Sequence, residues 1–265
     1  MARDRPRGFL KYQAGPPVLP PELDGLIADP EDTAPAGMVL PEGEFLIVGD
    51  AGRKWERGTG RHIGDVPYFS QWEDPDMTDA VLVEGPLAAL RRDSRWQGSG
   101  ADTIEEYARW AGHICGMACL KMMVAAKFRK TVPTIHLARR CSSYGGYVVN
   151  PENHEIRGLI YAPFVTFIKQ EFGLDAEVVT KVTAADLPAI LDSSSFFIAS
   201  VHPAIRTPSV PPPSKGGHLV LCMRALEGKL VFHNPSGHTD ASRRYVTLPV
   251  DVFDAFFAGR GVAVA

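Results

Sequence analysis

The sequence predicts an α+β fold in which helices are gathered ahead of antiparallel strands. Three observations carry that expectation. Apolar residues recur at helical spacing between Leu87 and Phe172, short apolar runs bounded by turn residues fill the chain from Ala176 onward, and Ala225-Leu226-Glu227-Gly228 joins two of those runs as a hairpin loop does.

Residues 1 to about 36 carry Pro6, Pro16, Pro17, Pro20, Pro21, Pro30 and Pro35 with few aromatics, which reads as an irregular arm. Met38-Val39-Leu40 and Phe45-Leu46-Ile47-Val48 flank Pro41-Glu42-Gly43-Glu44 as the strands of a small hairpin would. Residues 1–64 are therefore set apart from a unit spanning 65–265. The glycine-rich run Gly58 to Gly64 has the wrong spacing for a phosphate-cradling loop and no amphipathic helix follows it. Asp65 to Trp72 is extended and apolar. A short helix fits Leu87 to Arg92. Another starts at Asp102 or Thr103, with Glu105 and Glu106 in the first turn where the helix dipole favours acids, and Gly112 interrupts it.

Cys115 to Phe128 reads as a mostly apolar, largely buried helix whose first residue is a cysteine. Pro133 to Arg140 is a short helix with proline at an allowed first-turn position. Ile160 to Phe172 is amphipathic, regular from about Pro163 and stopped by Gly173. Ala176 to Val182 reads as a strand, and Thr183 caps a helix through Leu191 in which Pro188 tightens the turn. Ser195 to Val201 is a buried strand, followed by a loop marked by Pro203, Pro208 and Pro211-Pro212-Pro213. Gly217 to Arg224 and Lys229 to His233 form the hairpin, Tyr245 to Leu248 is a strand, Asp251 to Phe257 a helical turn or two, and Gly261 to Ala265 a closing strand.

Composition narrows the function classes. The chain has 265 residues, 45% hydrophobic, with 28 basic against 31 acidic side chains and a formal net charge of -3. Collagenous, coiled-coil and wholly disordered readings are excluded, and no global charge draws the protein to nucleic acid or to a membrane surface. Cys115, Cys119, Cys141 and Cys222 contain no C-x-x-C pair and suit neither a disulfide framework nor a zinc ribbon. No signal-peptide run and no membrane-length apolar run occurs, so the expected compartment is a reducing cytoplasm.

Chemistry points first to Cys115. A cysteine at a helix N-terminus sits among unpaired backbone N–H groups and the positive end of the dipole, both of which favour thiolate; the competing reading is a small buried apolar residue. A base is available downstream. His218 opens one hairpin strand and Asn234 ends its partner, so the two can be neighbours across the hairpin. Asn234 is expected to accept Nδ1–H of the imidazole, leaving Nε2 to exchange a proton with the thiol. Cys119, Cys141 and Cys222 are expected to be packing thiols. His233, His238 and Asp240 do not make a metal site, because His233 should point away from the face of Asn234. Asp251, Asp254, Arg243 and Arg244 read as solvated surface charge.

Cys115-Gly116-Met117-Ala118-Cys119-Leu120 resembles the cysteine box of the bacteriocin-processing, double-glycine leader peptidases within the papain-like superfamily. The extended segment Val66-Pro67-Tyr68-Phe69-Ser70-Gln71, the strand Gly217-His218-Leu219-Val220-Leu221 and the turn His233-Asn234-Pro235-Ser236-Gly237 match that family's other motifs in order. The resemblance covers roughly residues 65 to 265. It implies a papain-like catalytic domain without a cofactor or a metal, with Cys115 as nucleophile, His218 as general base and then acid, Asn234 as orienter of the ring and Gln71 as oxyanion donor. Trp72, His113 and Gly217 are the candidate substrate contacts, and Trp110 a candidate core or cleft-wall aromatic. The chain departs from the family in the insertion 73–112, expected as a lid, a specificity loop or an extra subdomain. It departs also in Ile114 before the cysteine, in Asn234 where aspartate is usual, and in the 1–64 arm. The expected activity is cysteine-dependent hydrolysis of a peptide or amide bond through a thioester. Transfer of the acyl group to an amine, or peptide binding without catalysis, are the alternatives.

Overall fold

The computed structural model describes residues 66–265 together with two earlier strands, β1 (Glu44–Val48) and β2 (Trp55–Thr59). These two pair antiparallel, Val48 opposite Trp55. The expected Phe45–Val48 run is thus a strand that pairs with a later one; residues 38–40 and the proline-rich arm lie outside the described residues.

The helices are α1 (Thr78–Glu84), α2 (Pro86–Ala89), α3 (Ile104–Ala111), α4 (Cys115–Phe128), α5 (Thr134–Ser143) and α6 (Tyr161–Phe172). Strand β3 (Ala176–Thr180), helix α7 (Leu187–Ser193) and strands β4 (Phe196–Val201), β5 (His218–Leu226) and β6 (Lys229–His233) follow. Helix α8 (Asp240–Arg243), β7 (Val246–Pro249), α9 (Val250–Phe256) and β8 (Phe257–Val264) complete the chain. The last six strands form one antiparallel sheet in the order β3-β8-β4-β5-β6-β7. The fold is α+β.

Both faces of the sheet are covered, and β4 shows how the sequence provides for it. Phe196 and Ile198 join the core under α4 and α6, while Phe197, Ala199 and Val201 join a second core under α7 and α9. A strand buried on both faces needs a continuous apolar run instead of an alternating one. Helix α4 is apolar all round and is accordingly a core helix. Its one buried charge, Lys121, lies 4.0 Å from Glu73 and over the Phe69 ring.

Several elements differ from expectation: α1 (Thr78–Glu84) was not foreseen, and α5 runs to Ser143 instead of Arg140. β3 ends at Thr180 because Lys181 turns into the left-handed region at φ 60°. β8 begins at Phe257 instead of Gly261, since Phe257 pairs with Val201 beyond a bulge in β4. Helix α8, not foreseen, is closed by a capping box between Thr239 and Ser242.

Residues 73–112, expected as an insertion, form a small helical layer. Trp72, Val81, Leu90, Tyr107, Ala108 and Ala111 make its own apolar cluster. It is fastened to the sheet side by Thr78 Oγ1 donating to Gly237 O (3.1 Å) and by Arg243 Nη2 donating to Pro75 O (2.7 Å) and Asp76 Oδ1 (2.9 Å). Arg243 was expected on the surface and is buried instead, because these carbonyls and Asp76 replace its hydration. Among the described residues no helix is long and apolar enough to cross a membrane.

Candidate active site

Cys115 is the first residue of α4, and no side chain caps that end. The orphan N–H groups of the first turn are therefore free to face the sulfur. Backbone N–H groups of Leu219, Gly116 and Cys115 itself act on the thiol, so its sulfur lies against β5 one residue beyond His218. Gly116 permits this approach: a Cβ there would come within 2.6 Å of Leu159 and 3.0 Å of Leu219. Cys115 is half-buried, and Cys119, Cys141 and Cys222 are fully buried. Burial pushes the Cys115 thiol up from its ordinary range, and the backbone N–H groups and the Arg206 charge pull it down by less. Desolvation thus opposes the preference for thiolate expected from the helix end.

His218 Nε2 lies 2.8 Å from Asn234 Oδ1. The backbone N–H of Ser236 faces the same Asn234 atom at 3.1 Å, and a backbone amide can only donate, so that atom is the oxygen. In the neutral ring the proton is consequently on Nε2, and Nδ1 is the basic nitrogen. This reverses the expected assignment. The physical reason is register: Leu221 pairs with His233, so Asn234 stands diagonally from His218 and is met by the outermost ring nitrogen. Ser236 Oγ also lies 2.9 Å from Nε2 and donates to Asn234 Oδ1 at 3.3 Å. Burial, then the charge of Arg206, lower the His218 pKa to about 3 against the smaller opposing effect of the Asn234 hydrogen bond.

The extended segment after residue 65 braces this turn. Tyr68 Oη donates to Asn234 O (3.1 Å), and Ser70 Oγ and the Gln71 backbone N–H both donate to Pro235 O (2.9 Å each). His233 points the other way, as expected. Its Nε2 donates to Val66 O (2.9 Å) and its Nδ1 accepts from Tyr245 N (3.0 Å). Gln71 is 5% exposed, and its Nε2 donates to Ala111 O (2.9 Å), which leaves one amide proton uncommitted and Oε1 buried with no partner.

The candidate substrate contacts divide. Gly217 is exposed at φ 97°, a conformation suited to glycine, beside His218. His113 is exposed two residues before Cys115, its carbonyl held by Tyr147 Oη (3.3 Å). Trp72 is 2% exposed and lies within the insertion's apolar cluster, its Nε1 donating to Thr78 Oγ1 (3.1 Å); it is a packing residue and not an open wall. Trp110 is likewise buried, edge-on to Tyr147.

Two residues at the site went unanticipated. Ser236 follows the Asn-Pro step directly, and its hydroxyl was legible as a second acceptor. Arg206, on the turn after β4, donates through Nε to Ser236 O (2.6 Å) and Oγ (3.1 Å) and through Nη1 to Pro203 O (3.1 Å). Nothing local in the sequence ties it to a histidine twelve positions on.

No family model matches the sequence, and no curated protein matches it. Among solved structures the chain is similar to the peptidase domain of Streptococcus ComA, a bi-functional ABC transporter involved in a quorum-sensing pathway. That likeness has a TM-score of 0.40 and 17% identity, and covers 58% of this chain and 91% of that domain.

Proposed function

We propose that the protein is a cysteine-dependent hydrolase of a peptide or amide bond, with residues 65–265 as its catalytic unit. The observation that carries the reading is the His218–Asn234 pair, polarised by Ser236 N–H so that Nδ1 is free to take a proton, with a helix-terminal thiol beside the same strand. Three groups with one orientation is what nucleophilic catalysis by a weak nucleophile needs.

In this reading Cys115 and His218 rest as a neutral thiol and a neutral imidazole. As sulfur attacks the carbonyl carbon, the S–H proton passes to His218 Nδ1, the C–S bond forms and the carbonyl π pair moves to oxygen. The uncommitted proton of Gln71 Nε2 and the Cys115 backbone N–H supply the oxyanion donors. Collapse breaks the C–N bond, and the Nδ1 proton goes to the leaving amine. Water then gives a proton to Nδ1, attacks the thioester and releases the carboxylic acid, and the proton returns to sulfur. Asn234 and Ser236 hold the Nε2 proton throughout.

Incubating the purified protein with a mixed peptide library and reading products by mass spectrometry tests this. New termini that vanish in both Cys115→Ala and His218→Ala support the reading; full activity in the Cys115→Ala protein sinks it. Products joined to an added amine would instead identify acyl transfer.

A further inference from the structure

Arg206 is half-buried, and burial lowers its pKa. Its Nε and Nη1 are committed to Ser236 and Pro203, which fixes the guanidinium plane, while no hydrogen bond occupies Nη2. Among the described residues no carboxylate pairs with it; the acidic group its charge meets is the Cys115 thiol. A cation so placed loses hydration without regaining a counter-charge, and an anion arriving from outside would supply one. Arg206 also lines a groove of about 570 Å³ with Ile205, Thr207, His238, Thr239 and Leu248; Cys115 and His218 do not line it, and Arg206 connects it to them through Ser236, whose Oγ meets both Arg206 Nε (3.1 Å) and His218 Nε2 (2.9 Å). In that groove wall His238 Nδ1 is buried without a hydrogen-bond partner. A desolvated cation and an unpaired ring nitrogen on one wall, with hydroxyls and aliphatic side chains between them, suit a carboxylate carried on a short peptide segment.

We propose that Arg206 makes the site selective for substrates bearing a carboxylate close to the bond that Cys115 attacks. The inference rests on the cysteine-dependent reading and deepens it by naming the substrate class. The carboxylate can be an Asp or Glu side chain or a free chain terminus, since both present the same planar anion to a guanidinium.

The test uses two alkylating reagents of nearly equal size, anionic iodoacetate and neutral iodoacetamide, at low ionic strength. Labelling of the Cys115 peptide is followed by mass spectrometry in the intact protein and in Arg206→Gln and Arg206→Lys. The expected result is an iodoacetate-to-iodoacetamide rate ratio about tenfold higher in the unaltered protein than in Arg206→Gln, kept in Arg206→Lys and reduced by salt. If Arg206 only braces Ser236, both reagents slow together in Arg206→Gln and the ratio stays put, which overturns the proposal. Protection of Cys115 from iodoacetamide by N-acetylglycine points to a terminal carboxylate, and protection by N-acetylaspartate α-amide to a side-chain one; protection by neither, with an unchanged ratio, also overturns it. A Cys115 that resists both reagents overturns the cysteine-dependent reading itself.

Discussion

His218 Nε2 and Asn234 Oδ1 stand 2.8 Å apart across the end of the β5–β6 hairpin, and the Ser236 amide decides which of them donates. The consequence reaches the far edge of the ring. A fixed Nε2–H makes Nδ1 the only basic nitrogen of the neutral imidazole, so the identity of residue 234 sets both the tautomer and the readiness of His218 to accept a proton.

Replacing Asn234 separates those two effects. Asn234→Ala leaves Nε2–H with Ser236 Oγ alone and strips the Ser236 amide of its acceptor. The lost tautomer preference is about 1–3 kcal/mol, which lowers turnover about 10- to 100-fold. Asn234→Asp keeps the acceptor and adds a negative charge beside Nε2–H, which favours imidazolium. Its His218 pKa should rise above about 3 and the acid limb of the rate profile should move toward neutral pH. Steady-state rates between pH 4 and 8 check both variants; if no acid limb enters that range in Asn234→Asp, His218 is not the titrating base.

The general plan was legible because it rests on periodicity. The mostly apolar run Cys115 to Phe128, interrupted only by Lys121 and Lys127, reads as a buried helix, and the 218–233 hairpin announces itself through Glu227-Gly228. The site was legible only as identities. Which nitrogen of His218 meets Asn234 depends on a diagonal register that a bulge between Cys222 and Arg224 helps to set, and no local pattern specifies a bulge. The burial of Cys115 was hidden for a related reason: the helix end is local and visible, whereas the desolvation that opposes its effect comes from residues scattered along the chain. Arg206 and the buried state of Arg243 are tertiary in the same sense, since most of their partners are backbone carbonyls that any sequence could supply and the rest, Ser236 and Asp76, lie 30 and 167 residues away.

The buried histidines make the fold acid-sensitive. His233 is fully buried, with its pKa lowered to about 4 by burial against the opposing hydrogen bond to Val66 O, and His218 lies at about 3. Both are held neutral in the folded state and regain an ordinary value near 6.5 when unfolded. Between those values the unfolded chain binds more protons. Stability is therefore fully present above about pH 6.5 and is lost as pH falls through the window toward about 4, with His233 contributing on the order of 2 kcal/mol of loss by pH 5. Urea midpoints at pH 7 and pH 5 should separate clearly in the unaltered protein and draw together in His233→Gln. Equal separation in both assigns the acid sensitivity elsewhere.

Backbone contacts predict a sharper effect at Gly261 than at Gly116. A Cβ on Gly261 would lie 2.2 Å from the carbonyl oxygen of Ile198 in β4, an atom that cannot move without breaking the sheet. A Cβ on Gly116 meets only the ends of two leucine side chains. Gly261→Ala should cost about 3 kcal/mol or more, and Gly116→Ala about 1 kcal/mol with a change in Cys115 reactivity. Thermal unfolding of the two variants orders them; a smaller loss at Gly261 means that β8 does not pair with β4 in this register.

Gln71 offers the clearest separation of chemistry from support. One proton of its Nε2 is spent on Ala111 O, so only the second can reach an oxyanion, while the residue's backbone N–H anchors Pro235 whatever the side chain is. Gln71→Ala should therefore leave the Asn234 turn in place and lower kcat for amide hydrolysis about 10²- to 10³-fold with little change in KM. Alkylation of Cys115 by iodoacetamide occurs at a saturated carbon and develops no carbonyl oxyanion. That reaction should proceed at the unaltered rate in the same variant. Equal losses in hydrolysis and alkylation assign Gln71 to holding the end of α3 at Ala111, four residues before Cys115, and remove it from the oxyanion site, whereas a loss confined to hydrolysis identifies its free amide proton as the donor.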